Sequence, residues 1–415
     1  MRARAGQLFA PALAAVLGGA VLAAQGLRTM AFTDYEVEAE PSLLALRHGD
    51  LAGFLHHLPV YGGSLILRSP FALLPAMWRG GDLALYRLMA APCLLAAVVL
   101  ALALFVRARE LGTGRGAAWL ALALVACNPV MLRALEIGHP EEILGGVLCV
   151  AAGLAAARSR PLLTGVLLGA AMANKPWAVV AVLPVLLVLA AGRKRALTCA
   201  AGTAALLVAP MLLLSGGALT STVTVARASG MIFQPWELWW FLGEHGHRVM
   251  GLYAEHVGYR TPPVWITRIS HPLVILLPVA AALLLARRRR LLEPAQGFAL
   301  LALCLQLRCL LDTWNTSYYA LPACVALVAW EVYARRPPLI ALTTAALVWT
   351  TFELLPRVAS PDIQAAAYLA WSVPLTAAIA LSLWRPRAWA RLTAGAAEAA
   401  RRRLPTLAAA SGSSL

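Results

Sequence analysis

The sequence predicts an all-α polytopic membrane protein, a bundle of about twelve transmembrane helices with an interfacial helix in the first outer loop. Three observations carry that prediction. The chain is 61% hydrophobic and 13% charged, against about 25% charged residues in a typical soluble domain, and its mean hydropathy is +0.74. Apolar runs long enough to approach the roughly 30 Å hydrocarbon core recur along it. Its basic residues stand in short clusters between alternate runs, as one face of a multi-pass protein is marked. The net charge of +16 would suggest nucleic acid as a partner in a soluble chain, but charge distributed this way marks membrane orientation, so nucleic acid is set aside. The seven cysteines fall mostly inside apolar runs and show no paired metal spacing, which makes them small core residues.

In chain order, Arg2 and Arg4 precede a first run from about Phe9 to Leu27, read as an uncleaved span because it is long for a signal peptide. Arg28 to about Leu58 is polar and acidic, and the stretch 63–78 is apolar but short and broken by Arg68, Pro70 and Pro75. It is read as an interfacial or re-entrant helix. Regular apolar segments follow at about 83–106, 116–133, 140–157, 161–173, 176–191, 196–214, 265–286, 294–311, 318–333, 338–356 and 365–384. Several of these are shorter than the ~20 residues of a perpendicular span and must lean on neighbours or on a water-filled recess. One membrane domain is expected over 1–384, with 28–80 as its first outer loop and 215–264 as a long outer loop, followed by a basic, disordered cytoplasmic tail over 385–415.

Placing both termini in the cytoplasm puts Arg107/Arg109/Arg115, Arg158/Arg160, Arg193/Lys194/Arg195, Arg287 to Arg290, Arg335/Arg336 and the tail arginines inside. The polar residues of the other connections then share the outer face of a cell membrane. Thr33 to Glu40 holds four carboxylates in seven residues, Asp34, Glu36, Glu38 and Glu40. Asp34, just past the first helix between protein and water, suits a general base acting on a hydroxyl; a solvated acidic loop explains the same residues equally well. Glu36 and Glu38 lie on the side of Asp34 if the segment is extended, whereas in a helix Glu38 alone is its i+4 neighbour.

His139-Pro140-Glu141-Glu142 opens the fourth span, where proline and two glutamates suit a helix N-terminus. That capping role leaves His139 unexplained. His139, Glu141 and Glu142 are also the residues that would ligate a divalent cation, although their spacing matches no specific metal motif. Lys175, one of only two lysines, lies between two short helices, placed either to meet an anionic group or to snorkel toward headgroups. The outer segment Phe233 to Phe241 offers Trp236 beside Glu237, and Leu311 to Tyr319 offers Asp312 and Trp314. Indole faces with flanking carboxylates suit sugar rings, while tryptophans equally form the interfacial belt.

The order of these features resembles the GT-C fold polytopic glycosyltransferases, and most of all glycosyltransferase family 87 and its actinobacterial relatives. The resemblance rests on the outer loop that begins with Asp34, Tyr61-Gly62-Gly63-Ser64 with Pro70 and Pro75, Gly138-His139 opening a later helix, and Gly165 to Lys175-Pro176 in a short hairpin. It covers roughly the first half of the chain, the second half matching mainly in hydropathy. It implies transfer of a sugar such as mannose or arabinose, with inversion, from a polyprenyl-phosphate-linked donor to a lipid or glycan acceptor of the cell envelope. Asp34 would be the base, Lys175 with Arg133 would hold the donor phosphate, and Glu36, His139, Glu141, Trp236, Glu237, Asp312 and Trp314 would contact sugar or acceptor. No cofactor is required, because the phosphate leaves already ionised; a divalent cation at His139 and Glu141 is the alternative. Members of the family commonly carry Gly-Gln and a nearby Asn where this chain has Gly138-His139-Pro140-Glu141-Glu142. The competing reading is a transporter or lipid flippase, against which stands the lack of any internal repeat relating the two halves.

Overall fold

A computed structural model describes residues 2–28, 34–59, 61–74, 80–214, 232–246, 248–250 and 255–391. The protein is an all-α, multi-pass membrane protein in which every expected apolar segment forms a helix. Nine helical stretches among the described residues are long and apolar enough to cross a membrane. They are α1 (Arg2–Gly26), α5 (Asp82–Glu110), α6 (Arg115–Ala126) continued by α7 (Val130–Ile137), α8 (Pro140–Ala157), α11 (Arg193–Leu214), α12 (Val264–Arg288), α13 (Pro294–Leu311), α15 (Leu339–Trp349) with the turns after it, and α16 (Pro361–Trp384). The other three expected spans are shorter: α9 (Pro161–Asn174), the pair of a 3-10 turn Pro176–Ala181 and α10 (Val182–Val188), and α14 (Leu321–Tyr333). At 1.5 Å per residue, a 13- or 14-residue helix reaches only about 20 Å, short of the hydrocarbon thickness.

Burial sorts the helices into a centre and a rim. In α8, 83% of the span is buried and in α13 78%, against 11% for α11 and 22% for α1. A helix that is apolar all round is either core or lipid-facing, and these percentages tell which. Around α8 and α13 pack α9, α14 and α5, whereas α11 joins the bundle mainly along α9. Between α1 and α5 the described residues form three short helices, α2 (Glu40–Arg47), α3 (Leu51–His56) and α4 (Gly62–Ala72). The eleven residues of α4 are too few to span. One face is buried, with Gly63 against α9 so closely that a Cβ there would stand 2.3 Å from the Ala173 carbonyl oxygen.

The two ends of the bundle differ. Helix α5 begins at Asp82 and ends at Glu110, and α14 begins beside Tyr318 and Tyr319 and ends at Tyr333. At the far ends Arg107 stacks on the Tyr333 ring at 5.0 Å, and Arg193 donates to the carbonyls of Leu189 and Arg290. The arginine-bearing turns thus share one end, and the polar residues around His139 and Tyr318 share the other. Residues 232–261 add two pairs of very short antiparallel strands: β1 (Glu244–His245) pairs with β4 (Arg260–Thr261), and β2 (Arg248–Met250) with β3 (Glu255–Val257). The expected disordered tail departs from expectation at its start. Residues 386–391 are helical, with the Trp389 ring 6.3 Å from Trp330; 392–415, 215–231 of the expected outer loop and 75–78 of the expected interfacial stretch lie outside the described residues.

Candidate active site

Five separate segments, 34–39, 61–68, 138–142, 174–177 and 308–319, converge at the non-arginine end. After α1 the chain enters a π-helical turn, Tyr35–Ala39, with Asp34 at its N-terminus. The acidic segment is therefore helical, not extended, and Glu38 is the residue one turn from Asp34. Opposite, α7 ends at Gly138, whose φ of +102° is a left-handed value that glycine adopts without steric cost. A side chain there would also strike the Tyr35 backbone, 2.6 Å from its nitrogen. This turn delivers His139 to the head of α8, with Glu141 and Glu142 in its first turn.

The His139 ring lies between two carboxylates. Its Nε2 is 2.9 Å from Asp34 Oδ2 and its Nδ1 2.7 Å from Glu141 Oε1. A neutral imidazole has only one N–H, so bonding both carboxylates calls for the imidazolium. Burial opposes that charge, but the Glu141 carboxylate and the two hydrogen bonds outweigh burial and the repulsion from Lys175, and hold His139 up to about 10. The Asp34 side chain keeps 38% of its surface exposed, whereas His139 keeps 7%. Asp34 is thus the open end of the chain of contacts.

Glu141, 1% exposed, is neutralised from three sides. Lys175 Nζ stands 3.1 Å from Oε1 and Arg68 Nη2 3.5 Å from Oε2, with His139 on the third. Its backbone carbonyl accepts from Asn174 Nδ2 at 2.8 Å, and Asn174 Oδ1 accepts from Ser64 Oγ at 2.7 Å. Lys175 also rests 3.9 Å above the Tyr61 ring and 3.8 Å from Glu142, a cation held by a π-face and two carboxylates at once. Glu142 receives the Trp177 indole N–H at 3.0 Å and both Arg308 nitrogens at 3.4 Å. The Arg308 guanidinium is flanked by the Tyr319 and Trp177 rings at 4.1 and 4.5 Å. Tyr318 completes the wall, its ring 5.0 Å from His139.

Of the residues singled out in the sequence, Asp34, His139, Glu141, Glu142 and Lys175 meet in this one cluster. Arg133 does not join it. It is 42% exposed and pairs with Glu136 at 3.3 Å and Glu353 at 3.5 Å, Glu353 accepting in turn from Ser317, the neighbour of Tyr318. Arg133 therefore marks the rim. Glu36 is half-buried on the opposite side of the turn, where its charge is felt by Glu40 and Tyr35. Trp236, Glu237, Asp312 and Trp314 form a neighbouring group. Trp236 stacks on Phe352 at 4.7 Å and donates its N–H to the Thr351 carbonyl, and Asp312 accepts from the Trp314 backbone. A divalent cation does not fit at His139, Glu141 and Glu142, whose donor atoms already face Lys175, Arg68, Arg308 and Trp177.

Sequence reasoning passed over Arg68, Arg308, Tyr61 and Asn174. Arg308 had a signal: it is the one Lys, Arg, Asp or Glu between Glu293 and Asp312, and a charge inside an apolar run needs a partner.

The sequence model of glycosyltransferase family 87 matches residues 63–313, more than half of the chain. The chain belongs to glycosyltransferase family 87. The match runs further into the second half than the sequence features suggested, from the start of α4 to the residue after Asp312, and it begins after Asp34. A search of curated proteins finds no match. Membership makes the protein a membrane glycosyltransferase, with a sugar donor and an acceptor as its substrates.

Proposed function

We propose that this family 87 enzyme transfers a hexose or pentose, of the mannose or arabinose type, from a polyprenyl-phosphate donor to a hydroxyl of a lipid or glycan acceptor, on the outer face of the cell membrane. The observation that supports this best is the contact chain Asp34, His139, Glu141 and Lys175, in which a half-exposed carboxylate terminates a buried, charge-compensated network. Asp34 is the base. The hydrogen bond from His139 to Oδ2 fixes the plane of the Asp34 carboxylate and leaves its other oxygen open to an acceptor. As the acceptor oxygen bonds to the anomeric carbon, the bond from that carbon to the phosphate oxygen breaks, the electron pair leaves with polyprenyl phosphate, and the hydroxyl proton passes to Asp34. Attack opposite the leaving group inverts the anomeric centre. The attacking hydroxyl becomes strongly acidic as its new bond forms, which favours transfer of its proton to a carboxylate in reach. Lys175 neutralises the departing phosphate, with Arg133 contributing charge at the rim. Both termini and the arginine end face the cytoplasm.

The test is consumption of radiolabelled polyprenyl-phosphate sugars by membranes containing the protein. Asp34→Asn is expected to lower turnover by about 10²-fold or more. Turnover at the native rate in that variant rules Asp34 out as base, and labelled substrate moved across proteoliposomes without any glycosidic product replaces the transferase reading with transport.

A further inference from the structure

Beyond the cluster at Asp34, the segment 232–243 folds back over the end of α13. Four hydrogen bonds hold it there: Phe233 N to Arg260 O at 3.0 Å, Leu238 N to Leu310 O at 3.0 Å, the Trp239 indole to Leu311 O at 2.8 Å, and Asn315 Nδ2 to Trp236 O at 2.6 Å. These contacts flank Glu237 on both sides and set it against the point where α13 gives way to Asp312. Glu237 is 0% exposed, and neither of its carboxylate oxygens has a hydrogen-bond partner among the described residues. Asn315 is in the same position. Its amide nitrogen serves Trp236 O and, at 3.1 Å, the Tyr368 hydroxyl, which fixes the orientation of the amide and leaves Oδ1 buried and without a partner.

Glu237 and Asn315 thus bring three buried oxygen acceptors without a donor to the segment, beside Asp312, which accepts from the Trp314 N–H and whose charge reaches Glu237. Burial, and then the charge of Asp312, push the Glu237 carboxyl well above its usual range. Burial likewise raises Asp312, against the pull of Arg308 and His271 and with the charge of Glu142 adding to the rise. Burying an unpaired carboxylate is costly, so the group calls for a positive occupant. A proton satisfies one oxygen of Glu237, whereas a metal ion satisfies both and takes the Asn315 oxygen as well.

We propose that Glu237, Asp312 and the side-chain oxygen of Asn315 bind a hard divalent cation of the calcium type, which pins the 232–243 segment to the end of α13. Carboxylates and an amide carbonyl are the oxygen ligands such an ion takes. The three donors are oxygens, with no His or Cys among them, so the set does not suit zinc or softer ions. The proposal stands apart from the transfer reaction, and its test does not use activity.

The full-length protein, purified in detergent and stripped of metal, is titrated with terbium(III), a luminescent stand-in for calcium. Trp236, Trp239 and Trp314 adjoin the group and would sensitise emission. Emission excited through tryptophan, displaced by millimolar calcium and lost in both Glu237→Gln and Asp312→Asn, is the expected result. Calcium should also raise the unfolding temperature of the native protein by a few degrees and leave both variants unmoved. Absence of sensitised emission, emission as strong in Glu237→Gln, or a native unfolding temperature indifferent to calcium overturns the proposal. Glu237→Gln that matches the native protein in the presence of calcium shows that the oxygens share a proton only.

Discussion

Glu141 and Glu237 are buried to the same degree, 1% and 0% exposed, in opposite company. Around Glu141 stand Lys175, His139 and Arg68, with Asn174 on its carbonyl. Around Glu237 stand carbonyls, another acid and tryptophans whose N–H groups point elsewhere. Burial alone therefore says little about a carboxylate. Its partners decide whether it is a fixed anion that organises cations or an incomplete site awaiting a positive charge.

The largest expected break of that contrast is Glu141→Gln. It leaves Lys175, Arg68 and His139 without their shared counter-charge, at a cost of about 3–5 kcal/mol, measured by denaturant or thermal unfolding in detergent. Glu237→Gln in metal-free buffer should change stability by about 1 kcal/mol or less, because burial favours the uncharged carboxyl that the amide resembles. Equal losses in the two variants would erase the distinction. A medium effect sharpens the Glu141 side through pH. His139 is raised in the folded protein from 6.5 to about 10, so its contribution is fully present below about pH 6.5 and is lost as pH rises through about 10. Unfolding temperature should fall across that window, and His139→Gln should flatten the fall. The smallest effect belongs to the rim: Arg133→Ala removes the ion pairs of a side chain that is 42% exposed and should cost under about 1 kcal/mol, read by the same scans.

Much of this molecule is legible in its sequence because the bilayer imposes length and hydropathy on a helix. The short stretch at 63–78, the brevity of 161–173 and the gathering of Asp34, His139 and Lys175 followed from run lengths and alternation of basic loops. Partnerships did not follow. Nothing in the spacing pairs Arg68 with Glu141 or Arg308 with Glu142, since such contacts depend on which helices touch and at what rotation. Pro140-Glu141-Glu142 reads locally as an ordinary helix start, which hides that both glutamates turn inward. Trp236 reads as a platform, yet it spends its ring on Phe352 and its N–H on Thr351.

The contact at Gly63 has a mechanical consequence. With its backbone pressed on the Ala173 carbonyl, and Ser64 and Asn174 bonded one step further on, the side of the cluster that bears the lysine is tied to α4. Any yielding at this cluster then falls to the turn that carries Asp34, the half-exposed end of the network.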